Sequence, residues 1–94
     1  MYIENIEIYS DQTNAAVLRH PSREYPGVLI QGDTLHALYT LAHIACAENK
    51  NKRLGNKEAI VELRDTLSSL LDYYKLVLKK HQIPLPFVEE EFGA

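Results

Sequence analysis

Tyr25-Pro26-Gly27-Val28-Leu29-Ile30-Gln31-Gly32-Asp33-Thr34-Leu35 is the stretch on which the fold turns, because its character changes twice. Pro26-Gly27 suits a type II turn. Val28 to Gln31 is a short apolar run of strand character, closed by Gly32. Asp33 or Thr34 then offers a side-chain oxygen to the free amides of a first helical turn. The chain before this junction reads as sheet, and the chain after it reads as helix.

Upstream, residues 2–9 (YIENIEIY) are β-branched and aromatic, with Ile6 and Ile8 on one side and Glu7 on the other, the alternation of a half-buried strand. Residues 10–14 (SDQTN) carry short polar side chains that hydrogen-bond their own backbone in turns. Residues 15–20 (AAVLRH) read as a second strand, 21–27 as a connection and 28–31 as a third strand. Downstream, a helix runs to about Glu48, residues 49–55 form a polar loop, and Asn56 caps a long helix ending near Gln82, where Ile83-Pro84 breaks it. The short loop makes the two helices antiparallel neighbours. The expected class is therefore α+β: a three-stranded antiparallel meander followed by an antiparallel helical hairpin. The chain is expected to form one domain over 1–94, with residues 85–94 an acidic tail that packs at most through Phe87 and Phe92.

The long helix is well ordered by its pattern. Ile60, Leu63, Leu67, Leu70, Leu71, Tyr74, Val77, Leu78 and His81 share one stripe, the expected core face. Glu58, Glu62 and Asp65 stand in its first half and Lys79 and Lys80 at its end, complementing the helix dipole.

Composition narrows the function classes. A net charge of −3 lacks the basic face that a sequence-independent grip on nucleic acid requires, so no nucleic acid is expected. Cys46 is the single cysteine, set among apolar residues, which suits a reducing compartment. The N-terminus has no signal-peptide pattern, and no apolar run approaches ~18 residues, so no membrane is expected and the location reads as cytoplasmic.

The first helix is the unusual element. Residues 34–47 contain no Lys, Arg, Asp or Glu, whereas a surface helix normally carries a charged face. Its polar side chains are Thr34, His36, Thr40 and His43, the last three on one narrow stripe. Three readings stand side by side. The helix lies between the sheet and the long helix with the stripe wetted by solvent; or the stripe of His36, Thr40 and His43 marks the seam of a subunit interface; or it holds a ligand. Two histidines two turns apart stand ~10 Å apart along the axis, too far to share one metal ion, so no metal and no cofactor are expected.

A second grouping is Arg19-His20-Pro21-Ser22-Arg23 with Gln31-Gly32-Asp33-Thr34. If strands two and three are neighbours, Arg19, Arg23, Gln31, Asp33 and Thr34 gather near the free amides of the first helix, where a carboxylate or phosphate would be held. The alternative is structural: Asp33 caps the helix and an arginine pairs with it. Lys50, Lys52, Arg53 and Lys57 form a small basic patch, read as a solvated loop or as a contact for an acidic partner. No residue recommends itself for catalysis. Cys46 is mid-helix in apolar surroundings, and Ser68 and Ser69 lack the strained elbow of a serine nucleophile.

Ile6-Glu7-Ile8-Tyr9-Ser10, Asn14-Ala15-Ala16-Val17, the run from Arg19 through Arg23-x-Tyr25-Pro26-Gly27-Val28-Leu29-Ile30-Gln31-Gly32-Asp33-Thr34-Leu35, and the C-terminal Tyr74, Lys80-His81 and Leu85-Pro86-Phe87 together resemble a family of small bacterial cytosolic proteins of unknown function. The resemblance implies a bacterial cytosolic origin and brings no established activity, cofactor or catalytic residue. Its most specific part directs attention to Arg19, Arg23, Gln31 and Asp33. The expected function is a non-enzymatic interaction module, at least a dimer, of the kind an inhibitor or immunity protein would be; the alternative is a small anionic-ligand domain using Arg19, Arg23 and the start of the first helix.

Overall fold

A computed structural model describes residues 1–48 and 57–89. The expected loop at 49–55, its basic residues Lys50, Lys52 and Arg53, the Asn56 cap, the Lys57 side chain and the tail beyond Glu89 with Phe92 lie outside the described residues. Three strands, β1 (Glu7–Ser10), β2 (Ala16–Arg19) and β3 (Gly27–Leu29), precede two helices, α1 (Gly32–Glu48) and α2 (Lys57–Lys80). The sheet order is β1-β2-β3 with both pairings antiparallel, so the meander and the α+β class hold. The chain forms two compact units, Met1–Gln31 and Gly32–Ala94.

In the first unit the strands are shorter than their sequence suggests. Residues 2–9 read as one strand, yet only Glu7–Ser10 is paired. The partner sets the limit: Glu7 lies opposite Arg19, the last residue of β2, and Pro21 two positions on cannot donate to a ladder. Tyr9 is a bulge, since Ile8 faces Leu18 and Ser10 faces Val17. In the bend before β2, the Thr13 hydroxyl accepts from the Ala15 amide at 3.2 Å and donates to its carbonyl at 2.8 Å. The type II turn expected at Pro26-Gly27 is not formed. Gly27 has no positive φ and opens β3 instead. The chain reverses earlier, where the Arg23 amide donates to the His20 carbonyl at 2.9 Å with Pro21 in the second turn position.

In the second unit the helices run antiparallel. The start of α1 meets the end of α2, where a Cβ on Gly32 would overlap the Tyr74 ring. The end of α1 meets the start of α2, where the Cys46 thiol donates to the Ile60 carbonyl at 3.5 Å. Among the described residues, Ala42 and Leu71, at 6% and 2% exposure, are the buried hydrophobic side chains. The stripe expected on α2 is rotated. Leu63 and Leu70 are exposed and His81 falls beyond the helix, while Arg64, Ser68 and Lys75 are half-buried. The half-buried Arg64 and Lys75 keep their charged heads on Asp65 and Glu89, as long cationic side chains with apolar stems can do.

The end of α2 is a Schellman turn. The Ile83 amide donates to the Leu78 carbonyl at 2.9 Å and the Gln82 amide to that of Lys79 at 3.2 Å, with Gln82 at φ 57°. The chain then folds back. Phe87 stacks on His36 with ring centres 4.2 Å apart and planes 9° from parallel, and Glu89 meets Lys75 at 2.8 Å.

Candidate functional site

Helical periodicity places Gly32, His36, Tyr39, His43 and Cys46 along one line of α1. Both ends of that line touch α2, so the residues between them face the second helix. His36, Thr40 and His43 are accordingly half-buried rather than wetted by solvent. His36 is covered by Phe87, and Tyr39 and His43 have ring centres 6.0 Å apart. The Thr40 hydroxyl oxygen is buried with no hydrogen-bond partner among the described residues.

The opposite side of α1 is the open one. Leu41 is 64% exposed, Ile44 45% and Leu38 40%, and Ala37 and Ala45 beside them are exposed too. No charged residue interrupts this side before Glu48. Sequence reasoning recognised that the helix is uncharged but not which side stays open, because a helix apolar all round has no preferred direction to bury.

Arg19, Arg23 and Gln31 belong to the first unit, and Asp33 and Thr34 to the second. The carboxylate that meets Arg19 is Glu7. Its Oε1 accepts from Nε and lies against Nη2, both at 2.6 Å, while Nη1 donates to the Arg23 carbonyl at 3.1 Å. Hydrogen bonding to Arg19, then its charge, holds the Glu7 carboxyl below its ordinary value, and the same contact raises Arg19. The Tyr9 hydroxyl donates to the same Glu7 oxygen at 3.3 Å. Arg19 thus ties β1 to β2 and steadies the following turn. Within that turn His20 Nδ1 accepts from the Ser22 amide at 3.0 Å, which puts the neutral ring's proton on Nε2, 3.8 Å from Glu4.

Asp33 sits inside the first turn of α1, one residue after Gly32, and not at the cap. Its carboxylate accepts from the Thr34 amide at 2.9 Å, filling one of the free first-turn donors. Beside β3, Leu18, His20, Arg23, Glu24, Tyr25 and Val28 are among the residues that line an open concavity of about 450 Å³. Among the described residues no group of three His, Cys, Asp or Glu side chains could hold a metal ion, and no helix is long and apolar enough to cross a membrane.

These features define a small α+β protein whose distinguishing surface is a half-exposed helix without a charged residue from 34 to 47. The chain belongs to a family of unknown function, DUF6959, whose model matches residues 1–87. No curated protein and no solved structure matches it.

Proposed function

We propose that this protein is a non-enzymatic interaction module that works as a homo-oligomer, at least a dimer, through the open side of α1. The observation that carries this reading is the exposure of Leu38, Leu41 and Ile44 on a helix without a charged residue from 34 to 47. Covering such a face gains about 25 cal/mol per Å² of apolar surface, and contiguous exposed apolar patches mark partner surfaces. A cytoplasmic location accompanies the proposal, supported by the single free thiol of Cys46. Sedimentation velocity on the full chain tests it. The expected result is a dimer that Leu41→Glu converts to a monomer of unchanged helix content; a wild-type chain monomeric at every concentration overturns it.

A second reading, a small anionic ligand, has the concavity beside β3 in its favour. There Arg23 and His20 line the concavity together with the apolar Leu18 and Val28, and the acidic Glu24 lines it too. With Arg19 engaged by Glu7, this reading draws chiefly on Arg23. Amide shifts of residues 18–29 on adding phosphate or acetate support it, and an unchanged spectrum retires it.

A further inference from the structure

The concavity beside β3 brings together two charges of opposite sign. Residues 24 and 25 form a bend between the turn that Arg23 closes onto His20 and the start of β3. In extended chain, successive side chains point to alternate faces. Here three in succession, Arg23, Glu24 and Tyr25, line the same space. Arg23 and Glu24 form no ion pair with each other, and neither side chain is paired with any other among the described residues. The neighbouring charges are taken. Glu7 holds Arg19 at 2.6 Å, and Glu4 stands 3.8 Å from Nε2 of His20, whose Nδ1 accepts from the Ser22 amide. Leu18, Val28 and Leu29 supply the apolar part of the lining.

An unpaired cation beside an unpaired anion disfavours a plain anion, because Glu24 repels what Arg23 attracts. The pair suits a ligand that carries both signs. An α-amino acid gives its carboxylate to a guanidinium, whose forked N–H donors match it, and its ammonium to a carboxylate. An apolar side chain is then left for Leu18, Val28 and Leu29. The volume of about 450 Å³ lies within the range of small-molecule sites. Every lining residue falls between 18 and 29, inside one unit, so the site needs nothing from the other.

We propose that this concavity binds a zwitterionic α-amino acid with an apolar side chain, its carboxylate on Arg23 and its ammonium on Glu24. This rests on the small-anion reading above and adds the second charge. The test is an amide NMR titration of the full chain with three probes of one shape. They are L-phenylalanine, hydrocinnamate, which lacks the ammonium, and phenethylamine, which lacks the carboxylate. L-Phenylalanine is expected to shift the amides of residues 18–29 and to bind about twofold to fivefold more tightly than either of the others. Glu24→Gln should abolish the preference over hydrocinnamate, weakening the amino acid and strengthening the anion, whereas Arg23→Gln should weaken both. Hydrocinnamate binding the wild type as tightly as L-phenylalanine, or a preference that survives Glu24→Gln, overturns the ammonium contact and leaves the anion reading standing. Phenethylamine binding as tightly as L-phenylalanine, or an Arg23→Gln variant that binds as the wild type does, takes the anion reading down as well. So does the absence of shifts at residues 18–29 with every probe.

Discussion

Replacing Gln82 with glycine should make the protein more stable. Gln82 holds φ 57°, the left-handed region, at the position after the helix end where glycine is usual. An L-residue there costs about 1–2 kcal/mol from the crowding of its Cβ against the following carbonyl. Glycine removes that cost but brings a freer unfolded chain, worth about 0.5–1 kcal/mol against it. The net expectation for Gln82→Gly is a gain of about 0.5–1 kcal/mol. The side chain is exposed and the two amide bonds to Leu78 and Lys79 come from the backbone, so the substitution leaves both in place. In urea unfolding followed by helical CD, a slope near 1 kcal/mol per M turns that gain into a midpoint shift of about 0.5–1 M. Gln82→Asn should gain less, and the β-branched Gln82→Val should lose stability. A Gln82→Gly variant no more stable than wild type, or a Gln82→Val variant unharmed, would refute the reasoning.

Gly32→Ala should destabilise by about 1–3 kcal/mol in the same assay, because the new Cβ meets the Tyr74 ring, and should turn neutral in a Tyr74→Ala background. Thr40→Val should leave the fold intact and stabilise it by about 1 kcal/mol, since a buried hydroxyl without a partner among the described residues is replaced by a methyl of the same shape; a loss would show that the hydroxyl is satisfied. Glu7, held below its usual 4.5 by Arg19, contributes stability that is present above that value and is lost as pH falls through the lowered one. Carboxyl NMR titration should find its midpoint below 4.5 and see it rise toward that value in Arg19→Ala. Phe87→Ala should cost roughly 1–3 kcal/mol, and a double-mutant cycle with His36→Ala should return a coupling of about 0.5–1.5 kcal/mol; additivity would mean the stacked rings do not interact.

The order of elements and the strand-to-helix junction were legible in the sequence because Val28–Gln31 and Asp33–Thr34 carry opposite local preferences. Limits that depend on a partner were not. Nothing in residues 2–6 says that β2 ends at Arg19, so β1 starts later than its β-branched pattern suggests. The direction of α1 was hidden for a related reason: with no charge from 34 to 47, only the contacts of Gly32 and Cys46 with α2 reveal which side is open. On α2 the expected stripe took in Leu63 and Leu70, which are exposed, and passed over Arg64 and Lys75, which are half-buried. Gln82 gave no signal, since glycine or asparagine is the residue that announces a left-handed helix end. The sequence grouped Arg19 with Asp33, whereas the carboxylate that meets Arg19 is Glu7 on the neighbouring strand.

The return of the chain after the Schellman turn bears on the order of events in time. Phe87 finds His36 only across the whole of α2, on a surface that α1 and α2 must already have assembled, while Glu89 reaches Lys75 on α2 itself. Closing that segment early would cost loop entropy before any contact repaid it. The segment is therefore expected to dock after the helices pair and to detach before they part. Weakening it should speed unfolding while leaving the folding rate almost untouched, so that the lifetime of the folded helices, more than their rate of formation, is set by a few residues outside them.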